Sequence, residues 1–208
     1  MLEAILRLVN TFIGASMKSQ AGVNSSEKIL VTATRMAQAH GYGGLNIRNL
    51  AEEVGIKAAS LYHHFPGKAE LAAAVARRYR EDAAVTLDTL WSEAKDPLER
   101  LRRYPAETFR KSLENGNRMC LASFMTAEYD DLPDIVKKEA QAFADVNIEW
   151  LEKALLDADL VGPGEAKRQA RAIFAAVAGA QLVARGRSDL PLFDALIDGY
   201  RACGLLPK

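Results

Sequence analysis

The sequence predicts an all-α protein of nine helices arranged in two domains. Three observations carry that prediction. Apolar residues recur three and four apart through every patterned stretch, and no run alternates as a strand does. The stretch Ile47 to Lys68, IRNLAEEVGIKAASLYHHFPGK, reads as two short helices joined by a tight turn. From Lys68 to about Ala94 nothing breaks the chain, so one long helix crosses the expected domain boundary.

Each element has a local reason. Ser25 or Ser26 can cap a first helix whose buried stripe is Ile29, Leu30, Ala33, Met36 and Ala37. It stops at His40-Gly41, and Tyr42-Gly43-Gly44 is a loop. Asn46 stands where a side chain caps free N–H groups, and Leu50, Ala51 and Val54 give the second helix an apolar face. Gly55 falls where the helix end needs φ > 0. Ile56 plugs the corner. Ala58 to Phe65 makes the third helix, with Leu61 and Phe65 inward, and Pro66-Gly67 ends it. The second and third helices form a helix-turn-helix, whose second helix enters a DNA major groove.

Beyond the long helix, Asp96-Pro97 opens a helix to about Asn115-Gly116, with a kink expected at Pro105. Met119 to Tyr129 is a short apolar helix, and Asp130 to Pro133 a turn. Asp134 to Leu160 is long and amphipathic. Gly162-Pro163-Gly164 is a break. Glu165 to Gly186 and Leu190 to Cys203 complete the count.

Composition bounds the partners. The 208 residues are 49% apolar and 26% charged, ordinary for a soluble globular protein. Basic and acidic residues balance at 27 each, so the chain is no non-specific nucleic-acid coat. Between Ser25 and Glu70 the basic residues outnumber the acidic ones by one, so DNA contact rests on placement. Cys120 and Cys203 show no metal-ligand spacing, and a reduced, cytoplasmic protein is the expectation. No metal or cofactor is expected. Residues 1–24 read as an extension. Leu2, Ile5, Leu6, Val9, Phe12 and Ile13 form a helical stripe, and Met17 offers a second start. Three readings stand: an unused start, a helix packing on the protein or a partner, and a membrane-surface or targeting segment.

The segment Val54 to Leu71, VGIKAASLYHHFPGKAEL, resembles the signature of the TetR-type transcriptional regulators. Gly55, Leu61, Tyr62, His64, Phe65, Lys68 and Leu71 match it. Lys57 stands where Ser is common, and Ala58 and Ala59 replace a usual polar or Gly residue. The resemblance runs from Glu27 to Val75, about a quarter of the chain. It implies a DNA-binding domain over residues 25–71 and a ligand-binding and dimerisation domain over 72–208. It also implies a homodimer on a palindromic double-stranded operator, released by a small-molecule effector, with no membrane partner.

The candidate DNA-binding residues are Arg48, Lys57, Ala58, Ser60, Tyr62, His63 and Lys68. Arginine reads guanine edges, and small residues such as Ala58 and Ser60 pack on thymine methyls. Tyr62, His63 and Lys68 suit phosphates, and the resemblance implies backbone contact at Tyr62 and Lys68. The competing reading of Tyr62 and His64 is a structural one, inside the three-helix unit. Candidate ligand-lining residues are Tyr104, Phe109, Cys120, Phe124, Met125, Phe143 and Trp150; the competing reading is plain core. Cys120, near a helix start and beside Arg118, reads either as a reactive thiolate or as an inert buried cysteine. Ala172, Ala175, Ala176, Ala178, Gly179, Ala180 and Ala184 give the penultimate helix a small face, for a dimer or for packing within the subunit.

Two other classes were weighed. A protein-interaction adaptor of the same fold has little reason to keep Arg48, Lys57, Ser60 and Lys68 on one face. An enzyme finds no G-x-S-x-G, no phosphate-binding glycine loop and no H-E-x-x-H.

Overall fold

The computed structural model describes residues 25–208; the expectations placed on residues 1–24 lie outside them. Every regular element among the described residues is helical. In order they are α1 (25–40), α2 (Ile47–Val54), α3 (Ala58–His64), α4 (Lys68–Glu93), α5 (Pro97–Pro105), α6 (Lys111–Glu114), α7 (Leu121–Ala127), α8 (Asp134–Asp157), α9 (Pro163–Arg187) and α10 (Leu190–Ala202). A π-helical turn, Ala106–Arg110, joins α5 to α6, so these described helices make nine rods.

Pro105 is the reason for that turn. Proline has no N–H to give the preceding turn, and its ring crowds the carbonyl four residues back. The expected kink therefore takes the form of a widened π turn. Two boundaries also differ from expectation. Pro163 and Gly164 form the first turn of α9 and do not break the chain, because proline's fixed φ suits the first helical position. Tyr129–Asp131 is a single 3₁₀ turn where the sequence reads as the end of a helix and a turn.

Two hydrophobic cores divide the molecule. One gathers Ile29, Ala33, Leu50, Val54, Leu61 and Phe65 under the first half of α4. Leu121, Met125 and Val136, from α7 and α8, join it. The other holds Leu87, Leu90, Tyr104, Phe109, Trp150, Ile173 and Phe193. Helix α4, 26 residues and roughly 39 Å long, belongs to both: Leu71, Val75 and Ala76 face the first core, Leu87 and Leu90 the second. Helix α8 packs along it through Val136, Ala140, Phe143, Asn147, Trp150, Leu151, Ala154 and Leu155, a stripe at helical period. The helix-turn-helix unit thus rests on the first half of α4, on α7 and on the start of α8.

Candidate nucleic-acid interface

The turn between α2 and α3 is fixed by three caps. Asn46 Oδ1 accepts from the N–H of Arg48 (2.9 Å) and of Asn49 (3.2 Å), which sets the start of α2. Gly55 takes φ +80° and donates its N–H to Ala51 (3.0 Å), and Ile56 N–H returns to the same carbonyl (2.9 Å). Lys28 Nζ, from α1, donates to the last carbonyl of α2 at Val54 (2.8 Å). Leu61, fully buried, pins α3 against this frame.

With Leu61 inward, the opposite face of α3 is set by geometry. Lys57, Ser60, Tyr62 and His63 are exposed and Ala58 is half-buried; Tyr62 keeps 52% of its surface. Arg48, in the first turn of α2, is exposed beside them. His64 is half-buried, its ring 6.4 Å from that of Phe65. Lys68 departs from the pattern. Its ammonium donates to the Gly43 carbonyl (3.2 Å) and lies 4.3 Å from the Tyr42 ring centre, so it holds the loop before α2.

That loop is held from a second side by a residue the sequence reading did not single out. Glu128, which ends α7, accepts the backbone N–H groups of Tyr42 and Gly43, the latter at 3.1 Å. Gly41 sits at φ +69°, and a Cβ there runs into the Glu128 carboxylate. Gln38 Nε2 of α1 reaches the Met119 carbonyl before α7 (3.5 Å). At the other end of α7, Cys120 N–H donates to the buried Gln181 Oε1 of α9 (2.8 Å). Helix α7 therefore spans from α9 to the loop that precedes α2.

Residues 29–75 match the family described as bacterial regulatory proteins, tetR family. The chain is 34% identical over 85 residues to the HTH-type transcriptional regulator LmrA of Bacillus subtilis, covering 40% of this chain and 45% of that one. It is 41% identical over 68 residues to the HTH-type transcriptional repressor AcnR of Corynebacterium efficiens, covering 33% and 35%. These matches span less than half the length of either relative. The fold extends further. A TetR-family transcriptional regulator from Agrobacterium tumefaciens superposes with TM-score 0.78 at 28% identity, over 84% of this chain and 94% of that chain. A TetR regulator from Legionella pneumophila does so with TM-score 0.77 at 25% identity, over 82% and 91%.

Residues 29–75 form a TetR-type DNA-binding domain. Over most of its length the chain has the two-domain helical fold of the TetR-family regulators it superposes on.

A cavity of about 130 Å³ opens between α4, the π turn and α8. Its walls are Tyr79, Ala83 and Phe143 with Asp82, Thr86, Glu107, Thr108 and Asn147. Of the residues expected to line a cavity, Phe143 does so. Tyr104, Phe109, Cys120, Met125 and Trp150 are buried in the closed cores, and Phe124 lies half-buried with the Arg185 guanidinium 4.8 Å from its ring centre. Tyr104 still borders the site indirectly, since its hydroxyl donates to Asn147 Oδ1 (2.9 Å). A larger cleft, about 420 Å³, lies outside, between α1, α4 and residues 115–118. Two of its three guanidiniums, Arg35 and Arg78, are committed to Glu53, Glu27 and Asp82, and no aromatic ring lines it; the smaller, ring-walled cavity is the better candidate for an organic ligand.

Cys120 is fully buried, and burial pushes its thiol pKa up. Of the two readings of Cys120, burial favours the inert cysteine over the reactive thiolate. Tyr79 and Tyr104 have phenol pKa values raised in the same way, by burial first and by Cys120 second. The small residues of α9 divide between two faces. Ala180 and Ala184 are buried in the subunit with Ala166, Ala170, Ile173 and Val177. Ala172 and Ala175 are exposed, in line with Leu182 (57% exposed) and Val183 (48%). Among the described residues no group of His, Cys, Asp and Glu is arranged to hold a metal, and no helix is long and apolar enough to cross a membrane.

Proposed function

We propose that this protein is a homodimeric repressor that leaves a palindromic operator when a small molecule enters the α4–α8 cavity. The observation that carries the reading is the outer face of α3. Four polar side chains, Lys57, Ser60, Tyr62 and His63, are exposed beside half-buried Ala58 on a helix whose inner face is locked by Leu61. Arg48 and Lys57 supply donors for base edges or phosphates, Ala58 and Ser60 allow close approach to thymine methyls, and Tyr62 and His63 reach the backbone. Lys68 acts chiefly through the loop it holds, keeping Tyr42 and Gly43 in place beside α2.

A palindrome needs two heads about one DNA turn apart, roughly 34–36 Å, or a multiple of it. The exposed residues Ala172, Ala175, Leu182, Val183 and Gly186 of α9, with half-buried Gly179 between them, supply a two-fold interface. The spacing is helical, the residues are small, and two branched aliphatics otherwise face water.

Ligand and DNA are coupled only if ligand prefers one arrangement of the heads. Two rods lead from the cavity to the heads. Helix α4 carries Tyr79 and Ala83 at the cavity and starts at Lys68. Helix α7 begins at Cys120, which faces the Tyr79 hydroxyl, and ends at Glu128 on the loop. A shift of Tyr79 on ligand entry therefore acts on the head along both.

The test is to sequence the DNA fragments that purified protein retains from its genome, then to titrate the recovered site with salt. Inverted repeats and a salt slope of several charges are expected. Retention without any shared sequence refutes operator reading.

A further inference from the structure

The α4–α8 cavity has a donor and acceptor balance that selects its occupant. Two hydroxyls line it, and each has spent its proton on a backbone carbonyl. Thr86 Oγ1 donates to the Asp82 carbonyl (2.9 Å), and Thr108 Oγ1 donates to the Tyr104 carbonyl (2.5 Å). What they present to the cavity is lone pairs. Asp82 and Glu107 are acceptors as carboxylates. Asn147, fully buried, receives the Tyr104 hydroxyl on Oδ1 and donates one N–H to the Phe143 carbonyl (2.9 Å). It has one N–H left. The Tyr79 hydroxyl is turned away toward Cys120 and Gln38, so only its ring serves as wall.

The cavity thus offers acceptors from four side chains against one residual donor, and no cationic side chain lines it. The cations nearby bind the same carboxylates without entering the lining: Arg78 to Asp82, and Arg103 and Lys111 to Glu107. Arg78 is shared with Glu27, and Arg103 with Glu93 and Glu99, so the three cations offset only part of the local negative charge. They leave the shortage of donors inside the cavity unchanged. Lys111 first, then Arg103, hold the Glu107 carboxyl below its ordinary pKa, against the effect of burial, so it stays an acceptor at neutral pH.

We infer that the cavity takes a small organic cation, an ammonium or amidinium group on an apolar body about the size of one ring. The charged end meets Asp82, Glu107 and the threonine oxygens, and the ring lies against Tyr79 and Phe143. The size follows from the volume, about 130 Å³, where a dry cavity of about 150 Å³ holds one benzene. Ammonium N–H groups fill the acceptors that a carboxylate ligand would repel, and aromatic faces attract a cation. The inference rests on the proposal that this cavity is the effector site.

The experiment is calorimetric titration of the full chain with three probes that share a ring: benzylammonium, benzyl alcohol and benzoate. The order expected is benzylammonium, then alcohol, then benzoate, with at least about a tenfold gap between the ends, as like-charge contact penalises the anion. Glu107→Gln and Asp82→Asn should each narrow the gap between ammonium and alcohol. Ala83→Phe, or Thr86→Phe if the first variant loses its helical circular dichroism, fills the cavity and should abolish binding of all three. Benzoate binding as tightly as benzylammonium, and lost on filling, overturns the cation inference and leaves the cavity as a ligand site. Binding of no probe, or binding that survives filling, overturns the cavity reading and the inference together.

Discussion

Removing the Glu128 carboxylate should loosen the helix-turn-helix unit without touching any residue proposed to face DNA. Glu128 accepts two backbone N–H groups, Tyr42 in a partly buried position and Gly43 in an exposed one. A hydrogen bond to a charged acceptor contributes about 1.5–3 kcal/mol, and an exposed amide recovers most of its share from water. Glu128→Ala should therefore cost about 2–3 kcal/mol in the local stability of the loop. That corresponds to a fall of roughly 30- to 150-fold in amide-exchange protection at Tyr42 and Gly43, at about 1.4 kcal/mol per decade. Hydrogen exchange read at those two amides is the assay, with the α8 amides as internal reference. Glu128→Gln should do little better, because a rotated amide presents its own N–H to one of the donors. Gly41 supplies the cross-check. Gly41→Ala carries a positive-φ penalty of about 1 kcal/mol and a clash with Glu128. In the Glu128→Ala background only the φ penalty remains, so the two changes should be non-additive. Unchanged protection at Tyr42 and Gly43 in Glu128→Ala refutes the grip, and strict additivity with Gly41→Ala refutes the contact.

Other outcomes follow from the same geometry. Leu182→Glu with Val183→Glu should give a folded monomer by sedimentation, as charges enter an exposed stripe, whereas Ala180→Glu should unfold the subunit, since its site is closed; a native chain that sediments as a monomer at micromolar concentration removes the α9 interface. Arg48→Ala should cost about 1–3 kcal/mol of operator binding and relax one base position, while Lys57→Ala should weaken all sequences alike and lower the salt slope by about one; identical profiles for the two variants contradict that division. With DNA absent, alkylation should mark Cys203, which is exposed, well before Cys120. Cys120, Tyr79 and Tyr104 all have folded pKa values raised above the unfolded ones, so their contribution is complete at neutral pH and is lost as pH rises. Unfolding by urea should become easier from about pH 8.5 upward, where an unfolded thiol begins to ionise, and a flat midpoint from pH 7 to 11 contradicts this.

What the sequence by itself determined is the reading head and the helical plan. Asn46, Gly55, Leu61 and Pro66 act through their own backbone conformation or the turn beside them, so their spacing alone placed α2, the turn and α3. The stripe of α8 was legible for the same reason, as helical period decides which residues share a face. Which face turns inward is a tertiary matter. Ala172 and Ala180 are the same residue on one helix, yet one is exposed and the other closed, because α8 and α10 cover one side of α9 and leave the other. The aromatic residues tell the same story: Phe143 borders the cavity, while Phe109, inside the π turn whose Glu107 and Thr108 do line it, is closed into the core. The Glu128 grip was least legible. Its partners are backbone N–H groups 86 and 85 residues away, and a backbone amide leaves no mark on residue identity. Which of the two readings of Cys120 applies was also a tertiary matter: Arg118 and a helix start are local features, while the burial that raises its pKa, and favours the inert cysteine, is made by helices distant in the chain.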